Sequence, residues 1–265
     1  GHVAIMSGAP AYNEVLGYGA LYANTNGNNN VAIGNDSLYY ATSPDQCIAI
    51  GAGTLIRGYN SQYSTAVGYN AGRNTSGSYN TFVGGNAGKG GTTSAPYSSG
   101  VSNTAVGYQA LTAFTTGGSN TAVGYYSGKS ITSGVQNTLM GIFSGQSLTT
   151  GGENIAIGQS ALQSEDTGDR NVAIGHSAFL NTNYDGNGYN TGLGYAVGYH
   201  NVLGVSNTYL GGQAGLNATG SYNTFVGHLA GYGGQTTAPF SSGQNNVAMG
   251  YQALTGFTTG GNNVA

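Results

Sequence analysis

Tryptophan is absent from this chain of 265 residues, and a single cysteine, Cys47, occurs. One cysteine excludes an intrachain disulfide framework. It leaves two readings, a small buried residue or an interchain bridge near a symmetry axis. Charge is also scarce: Asp, Glu, Lys and Arg make up 5% of the chain, against roughly 25% in a typical soluble domain. Five Lys and Arg set against eight Asp and Glu leave a net charge of −3. That balance excludes nucleic acid as a partner, because phosphate binding needs clustered cations. No apolar run approaches the roughly 18 residues of a membrane helix, so no membrane insertion is expected in this segment. Glycine and proline together reach about a fifth of the chain, below the roughly 25–30% that marks a disordered composition. The glycines are also regularly spaced.

What the sequence does have is one phrase, repeated. "NTAVGYQAL" at 103–111 returns as "NVAMGYQAL" at 246–254, with "NTAVGYYSG", "NIAIGQSAL" and "NVAIGHSAF" between. Taking the residue before each phrase as an anchor gives Asn13, Asn30, Cys47, Ser64, Asn80, Asn103, Asn120, Asn137, Asn154, Asn171, Asn190, Asn207, Asn223, Asn246 and Asn263. The usual spacing is about 17 residues, a period too short for a pair of helices and unlike a heptad. Longer steps follow Asn80, Asn171 and Asn223. The period suits one turn of a β-solenoid, with two strands of about five residues and two turns. The fold class expected is therefore all-β, a parallel β-solenoid or β-roll with one repeat per rung, forming a single array over 1–265. A glycine in every repeat core excludes an amphipathic helix.

The columns of the repeat give each position a role. Four residues after each anchor stands glycine: Gly17, Gly34, Gly51, Gly68, Gly84, Gly107, Gly124, Gly141, Gly158, Gly175, Gly194, Gly211, Gly227 and Gly250. Such uniformity implies positive φ or close backbone approach. Three after the anchor the residue is Leu, Ile, Val or Met, which reads as an inward aliphatic ladder. Seven after it the residue is small, as at Ala71, Ala110 and Ser127. Two after the anchor stands Ala, or Phe82, Leu139, Tyr209 and Phe225. In a strand this column faces away from the ladder, so it would form a long apolar outer strip. Monomeric proteins rarely expose such a strip, and burial against copies of the same chain is expected.

"NNVAIGNDS", "CIAIGAGT", "ENIAIGQSA" and "RNVAIGHSA" resemble the head repeats of trimeric autotransporter adhesins, the YadA-like heads. "NTAVGYQALTAFTTGGSNTAVGYYSG" is similar to repeat regions of phage and bacterial tail-fibre proteins. The resemblance covers essentially the whole chain, although the adhesin repeat is shorter than the one here. It implies a left-handed parallel β-roll, associated side by side as a homotrimer, in an extracellular fibre on a cell surface or virion. A longer period supports a built array: residues 64–122 return at 207–265. Both copies carry a short insertion holding Pro96 or Pro239, within protruding loops at 89–102 and 232–245. The chain starts and stops inside a repeat and reads as a window of a longer protein.

Catalytic chemistry is poorly supported, and no enzyme and no cofactor are expected. The few acids and bases, His2, His176, His200 and His228 among them, do not recur at spacings that stack them in adjacent rungs. Asn181, Asn183 and Asp185 before Gly186 resemble the start of a calcium loop, but its twelfth position is Gly192 rather than Glu. Ordinary turn chemistry explains these residues equally well. N-glycosylation sequons stand at Asn35, Asn74 and Asn217. Six tyrosines share the column after the glycine: Tyr18, Tyr69, Tyr108, Tyr125, Tyr195 and Tyr251. They read as cross-rung stacks or as an aromatic surface for sugars. Tyr97 and Phe240 stand at equivalent places beside Pro96 and Pro239. They are the candidate receptor contacts, set against a reading in which each ring tucks back and pins its loop. Together these readings point to a structural and adhesive fibre module that contacts a host-surface or matrix glycan or protein. The alternative is a subunit of a filament of solenoids stacked end to end, glycosylated or not.

Overall fold

The computed structural model describes residues 12–265; His2 lies outside them. The chain divides into two compact units at Gln136/Asn137. Unit 1 carries β1 (Glu14–Leu16), β2 (Val31–Ile33), β3 (Ile48–Ile50), β4 (Thr65–Val67), β5 (Thr81–Val83), β6 (Thr104–Val106) and β7 (Thr121–Val123). Unit 2 carries β8 (Thr138–Met140), β9 (Ile155–Ile157), β10 (Val172–Ile174), β11 (Thr191–Leu193), β12 (Thr208–Leu210), β13 (Thr224–Val226) and β14 (Val247–Met249). Within each unit every strand pairs in parallel with the next in sequence, with like columns opposite: Ala32 faces Ala49, and Ala156 faces Ala173. Each unit is thus a parallel β-solenoid with one strand per rung, beginning one residue after the anchor. No helix occurs among the described residues.

Two expectations are corrected. Each rung has one strand of three residues, not two of about five, and the opposite wall is built from turns. In that wall every second residue has positive φ: Gly34 (123°), Asp36 (54°) and Leu38 (53°) in one rung, Gly158 (129°), Ser160 (57°) and Leu162 (51°) in another. A left-handed non-glycine residue costs roughly 1–3 kcal/mol and persists only when its surroundings enforce it. Here hydrogen bonds from rung to rung enforce it. Asp36 N–H donates to Tyr18 O at 2.9 Å, Leu38 N–H to Thr54 O at 2.9 Å, and Tyr40 N–H to Ile56 O at 2.8 Å. The wall therefore has a ladder of its own.

The second correction concerns which face is inside. The column two after the anchor points inward: Ala32, Phe82, Ala105, Leu139, Ala156, Tyr209 and Phe225 are buried. The aliphatic column three after it faces out, with Leu16 66% and Met249 69% exposed. Strand parity gives the reason. The anchor asparagines from Asn30 to Asn246 are buried, and residues two apart share a face. Core volume is balanced across the roll. Where the inward strand residue is Ala, the residue six further on is usually large and buried, as with Ala32 and Leu38, Ala105 and Leu111, or Ala173 and Phe179. Where it is large, that residue is glycine. A Cβ on Gly145 would lie 2.8 Å from Leu139 Cδ2, and one on Gly215 would lie 2.6 Å from Tyr209 Cε2. Ala66 stands opposite Gly72, and there Leu55 and Phe82 from the adjacent rungs fill the space.

The anchor column is a buried amide ladder. Asn120 N–H donates to Asn103 Oδ1 at 3.0 Å, and its side-chain amide donates to Gly134 O at 2.9 Å. In unit 2, Asn154 makes the same pair with Asn137 Oδ1 (3.0 Å) and Gly168 O (2.8 Å). Each Asn thus supplies the partners that buried backbone groups in a turn would otherwise lack. Cys47 takes this place in its rung: its N–H donates to Asn30 Oδ1 at 2.9 Å, and its thiol is enclosed, facing Ser61 O at 3.3 Å. Burial pushes the thiol pKa up to about 11, so the side chain is an inert core residue rather than an exposed bridge.

Candidate functional site

The outer surface follows from this inside-out assignment. On the strand face of unit 1 the uncovered aliphatic ladder includes Leu16, Ile50 and Val83; on that of unit 2 it includes Met140, Leu193, Leu210 and Met249. None of the fourteen ladder residues is buried. Next to the ladder runs the aromatic column. Tyr108 stacks on Tyr125 of the following rung, with centroids 5.7 Å apart and planes 17° apart. His176 stacks likewise on Tyr195 at 5.5 Å, and His228 on Tyr251 at 5.8 Å. These stacks form because parallel in-register pairing brings like columns together. One ion pair occurs among the described residues. Arg170 clamps Glu153 of the preceding rung at 2.9 Å and holds the Glu153 carboxyl below its usual range.

The glycine column sits where rungs approach most closely. Gly84 has φ 128°, and a Cβ there would lie 2.7 Å from Gly107 O. Its role is structural, since neighbouring backbone leaves no access for a ligand.

The two long loops present their tips to solvent. In the first, Thr93, Ser94, Ala95 and Pro96 are exposed or nearly so, and Thr236, Thr237, Ala238 and Pro239 are placed likewise in the second. The rings beside them turn back onto the roll. Tyr97 stacks on Tyr59 with centroids 5.5 Å apart, lies under the Arg57 guanidinium at 4.7 Å, and accepts a hydrogen bond from Arg57 Nη1. Phe240 stacks on His200 at 4.1 Å with planes 15° apart. Arg57 and His200 occupy equivalent places, each just ahead of its copy of the longer repeat. In both copies a ring and a cationic or imidazole partner pin the loop to an earlier rung. Burial lowers the His200 pKa. Tyr97 and Phe240 are therefore pins, and the surface each loop offers is its hydroxyl-bearing tip.

The remaining sequence candidates separate. Asn181 meets His200 Nδ1 at 3.4 Å, while Asp185 accepts the Thr167 hydroxyl at 2.6 Å and Asn183 is exposed. No cluster of three His, Cys, Asp or Glu suited to a metal occurs among the described residues. Asn35 is at the surface, with its amide donating to Asp36 Oδ2 at 2.7 Å. Asn74 and Asn217 are buried, 3% and 1% exposed, and the Asn74 amide donates to Gly90 O at 3.3 Å. A glycan on either would have to leave through the packed wall, so of the three sequons the folded structure leaves only Asn35 open. Sequence reasoning missed the buried carboxylate Glu165. Its Oε1 accepts from Gly168 N–H (2.8 Å) and Asp166 N–H (3.1 Å), and burial raises its pKa. It occupies the turn-capping place that Asn24 fills in unit 1, where Gly27 N–H donates to Asn24 Oδ1 at 2.7 Å. That equivalence of column is the signal that could have found it. Compared with protein-family models, with curated proteins and with solved structures, the chain finds no match.

Proposed function

We propose that this chain is an extracellular structural and adhesive fibre module: a left-handed β-roll whose copies associate side by side as a homotrimer and hold out loops for attachment. The uncovered aliphatic ladder carries the reading. A three-residue strand per rung gives a narrow core, while in each unit a row of Leu, Ile, Val and Met stays on the outer strand face. Apolar rows of that kind on soluble proteins mark interaction surfaces, and an in-register row on one chain matches the same row on another. The scarcity of charge agrees, because charged residues are depleted at the centre of interfaces. The sequence resemblance to adhesin heads and tail fibres supports the same arrangement.

Recognition is assigned to the tips at 93–96 and 236–239, held by the Tyr97 and Phe240 pins. Loops on a rigid scaffold commonly carry binding, and several copies multiply weak contacts through avidity. The test is attachment of labelled chain to glycan-bearing cells. Deleting residues 91–99 and 234–242 together is expected to leave the solution mass that of the same oligomer and to abolish attachment. Attachment that survives the double deletion places the contact elsewhere and leaves this segment a spacer.

A further inference from the structure

Five cationic residues occur in the whole chain, and two of them, Arg57 and Arg73, open onto one cleft in unit 1. The cleft measures about 360 Å³ and is lined by Tyr18, Asp36, Tyr39, Tyr40, Ile56, Arg57 and Arg73. It runs from Tyr18 of the aromatic column across the turn wall to Arg57, beside the Tyr97 pin. Neither guanidinium is ion-paired among the described residues. Arg57 donates from Nη1 to Tyr97 and lies 5.5 Å from the Tyr40 ring centroid, while its Nε is buried with no acceptor. Arg73 uses Nη1 on Asn70 Oδ1 at 2.8 Å. Each guanidinium carries five N–H donors in a planar fork that matches a carboxylate. Asp36 is the one carboxylate in the cleft, and Asn35 already donates to it at 2.7 Å. Two fixed positive charges against one negative leave the cleft positive within a chain of net charge −3.

We infer that this cleft binds a carboxylated sugar, a uronic-acid type of residue. Arg73 would hold the carboxylate with the Arg57 charge beside it, Tyr39 and Tyr40, in edge contact with each other at 4.7 Å, would border the pyranose ring on one side, and Asp36 would accept its hydroxyls. Rings that are apolar in body and polar at the tip suit a sugar, which has an apolar face and a polar rim. The chemistry is confined to this copy. In the second copy of this region the places of Arg57 and Arg73 hold His200 and Leu216, and those of Tyr39 and Tyr40 hold Leu180 and Asn181. One site per chain is therefore expected. The inference deepens the attachment reading above, and rests on it, by naming a ligand class beside the first loop.

The experiment is an NMR titration of the whole chain with methyl β-glucuronide and, separately, with the uncharged methyl β-glucoside, at low ionic strength. The glucuronide is expected to bind about tenfold or more tightly than the glucoside, the difference a charge-assisted hydrogen-bonded pair confers. Arg73→Gln is expected to remove that preference while the circular dichroism spectrum and melting temperature stay unchanged. Asp36→Asn, which removes the like charge at a position an asparagine tolerates, is expected to tighten glucuronide binding. Equal affinity for both sugars, no binding of either, or a preference that persists in Arg73→Gln overturns the inference. If Arg73→Gln fails to fold, Asp36→Asn decides, because unchanged or weaker glucuronide binding in that variant also overturns it. Free sugars are measured, so failure here leaves the mass and attachment results of the fibre reading untouched.

Discussion

Gly84 and Gly85 are adjacent in sequence and should respond oppositely to the same substitution. Gly84 has φ 128°, and a Cβ there would meet Gly107 O at 2.7 Å and Gly107 C at 2.8 Å. Both obstacles are backbone of the next rung, tied into the sheet by the hydrogen bond from Gly107 N–H to Val83 O at 2.8 Å. They cannot rotate away as a side chain can. Gly84→Ala thus combines backbone strain of roughly 1–3 kcal/mol with overpacking of roughly 1–3 kcal/mol, about 2–6 kcal/mol in all. Gly85 lacks positive φ, and its Cβ would make ordinary contact with the Tyr108 ring at 3.4 Å. Gly85→Ala should be neutral or stabilising by up to about 1 kcal/mol, through the unfolded chain's lost entropy. Urea unfolding followed by far-ultraviolet circular dichroism measures both. Hydrogen exchange should show the Gly84→Ala damage centred on the rungs that begin at Asn80 and Asn103, since repeat proteins couple mainly to nearest neighbours. If the two variants unfold within about 0.5 kcal/mol of each other, a difference no larger than an ordinary surface substitution makes, the close-approach explanation of the glycine column is wrong.

The core supplies three more tests. Phe82→Ala should cost roughly 3–5 kcal/mol, and adding Gly88→Leu should recover more than half of it in urea unfolding, because Ala opposite Leu is the pairing that Ala105 and Leu111 already use. Asn120→Ala should cost roughly 1–3 kcal/mol, seen as a lowered melting temperature, because it strips a donor from Gly134 O. The pKa of Glu165 is raised by burial above its ordinary value of 4.5, so its contribution to stability is fully present below that value and is lost as pH rises through the raised one. Glu165→Gln should flatten that segment of the stability–pH curve, and a slope unchanged by the substitution would remove Glu165 as its source.

The repeat period, the start of each strand after its anchor, and the position of the glycine turn are all legible in the sequence, because each is a backbone requirement that recurs in one column. Which face of the strand turns inward is not. On sequence the uniform aliphatic column reads as core and the variable one as surface. The structure reverses them, because variation at Ala105, Leu139 or Tyr209 is matched by a change six residues further on. A column viewed alone hides that exchange of volume. The turn wall escapes for a related reason. Leu38 and Leu55 adopt left-handed backbone at 53° and 45°, a conformation their side chains disfavour in isolation and only the rung-to-rung hydrogen bonds impose. At the loops, Tyr97 and Phe240 are visible as equivalent rings, but their partners Arg57 and His200 lie 40 residues earlier. Nothing local connects them. The cleft around Arg73 draws on several successive rungs and is equally out of reach of a column-by-column reading.

The claim that the outer ladder is a self-association surface is tested most directly by the mass of the chain in native solution. The account predicts a species of three chains, three times 26.6 kDa, that falls to one chain when Ile50, Val83 and Leu210 are changed together to Ser. A monomer for the unaltered chain at concentrations where it remains folded would contradict the account.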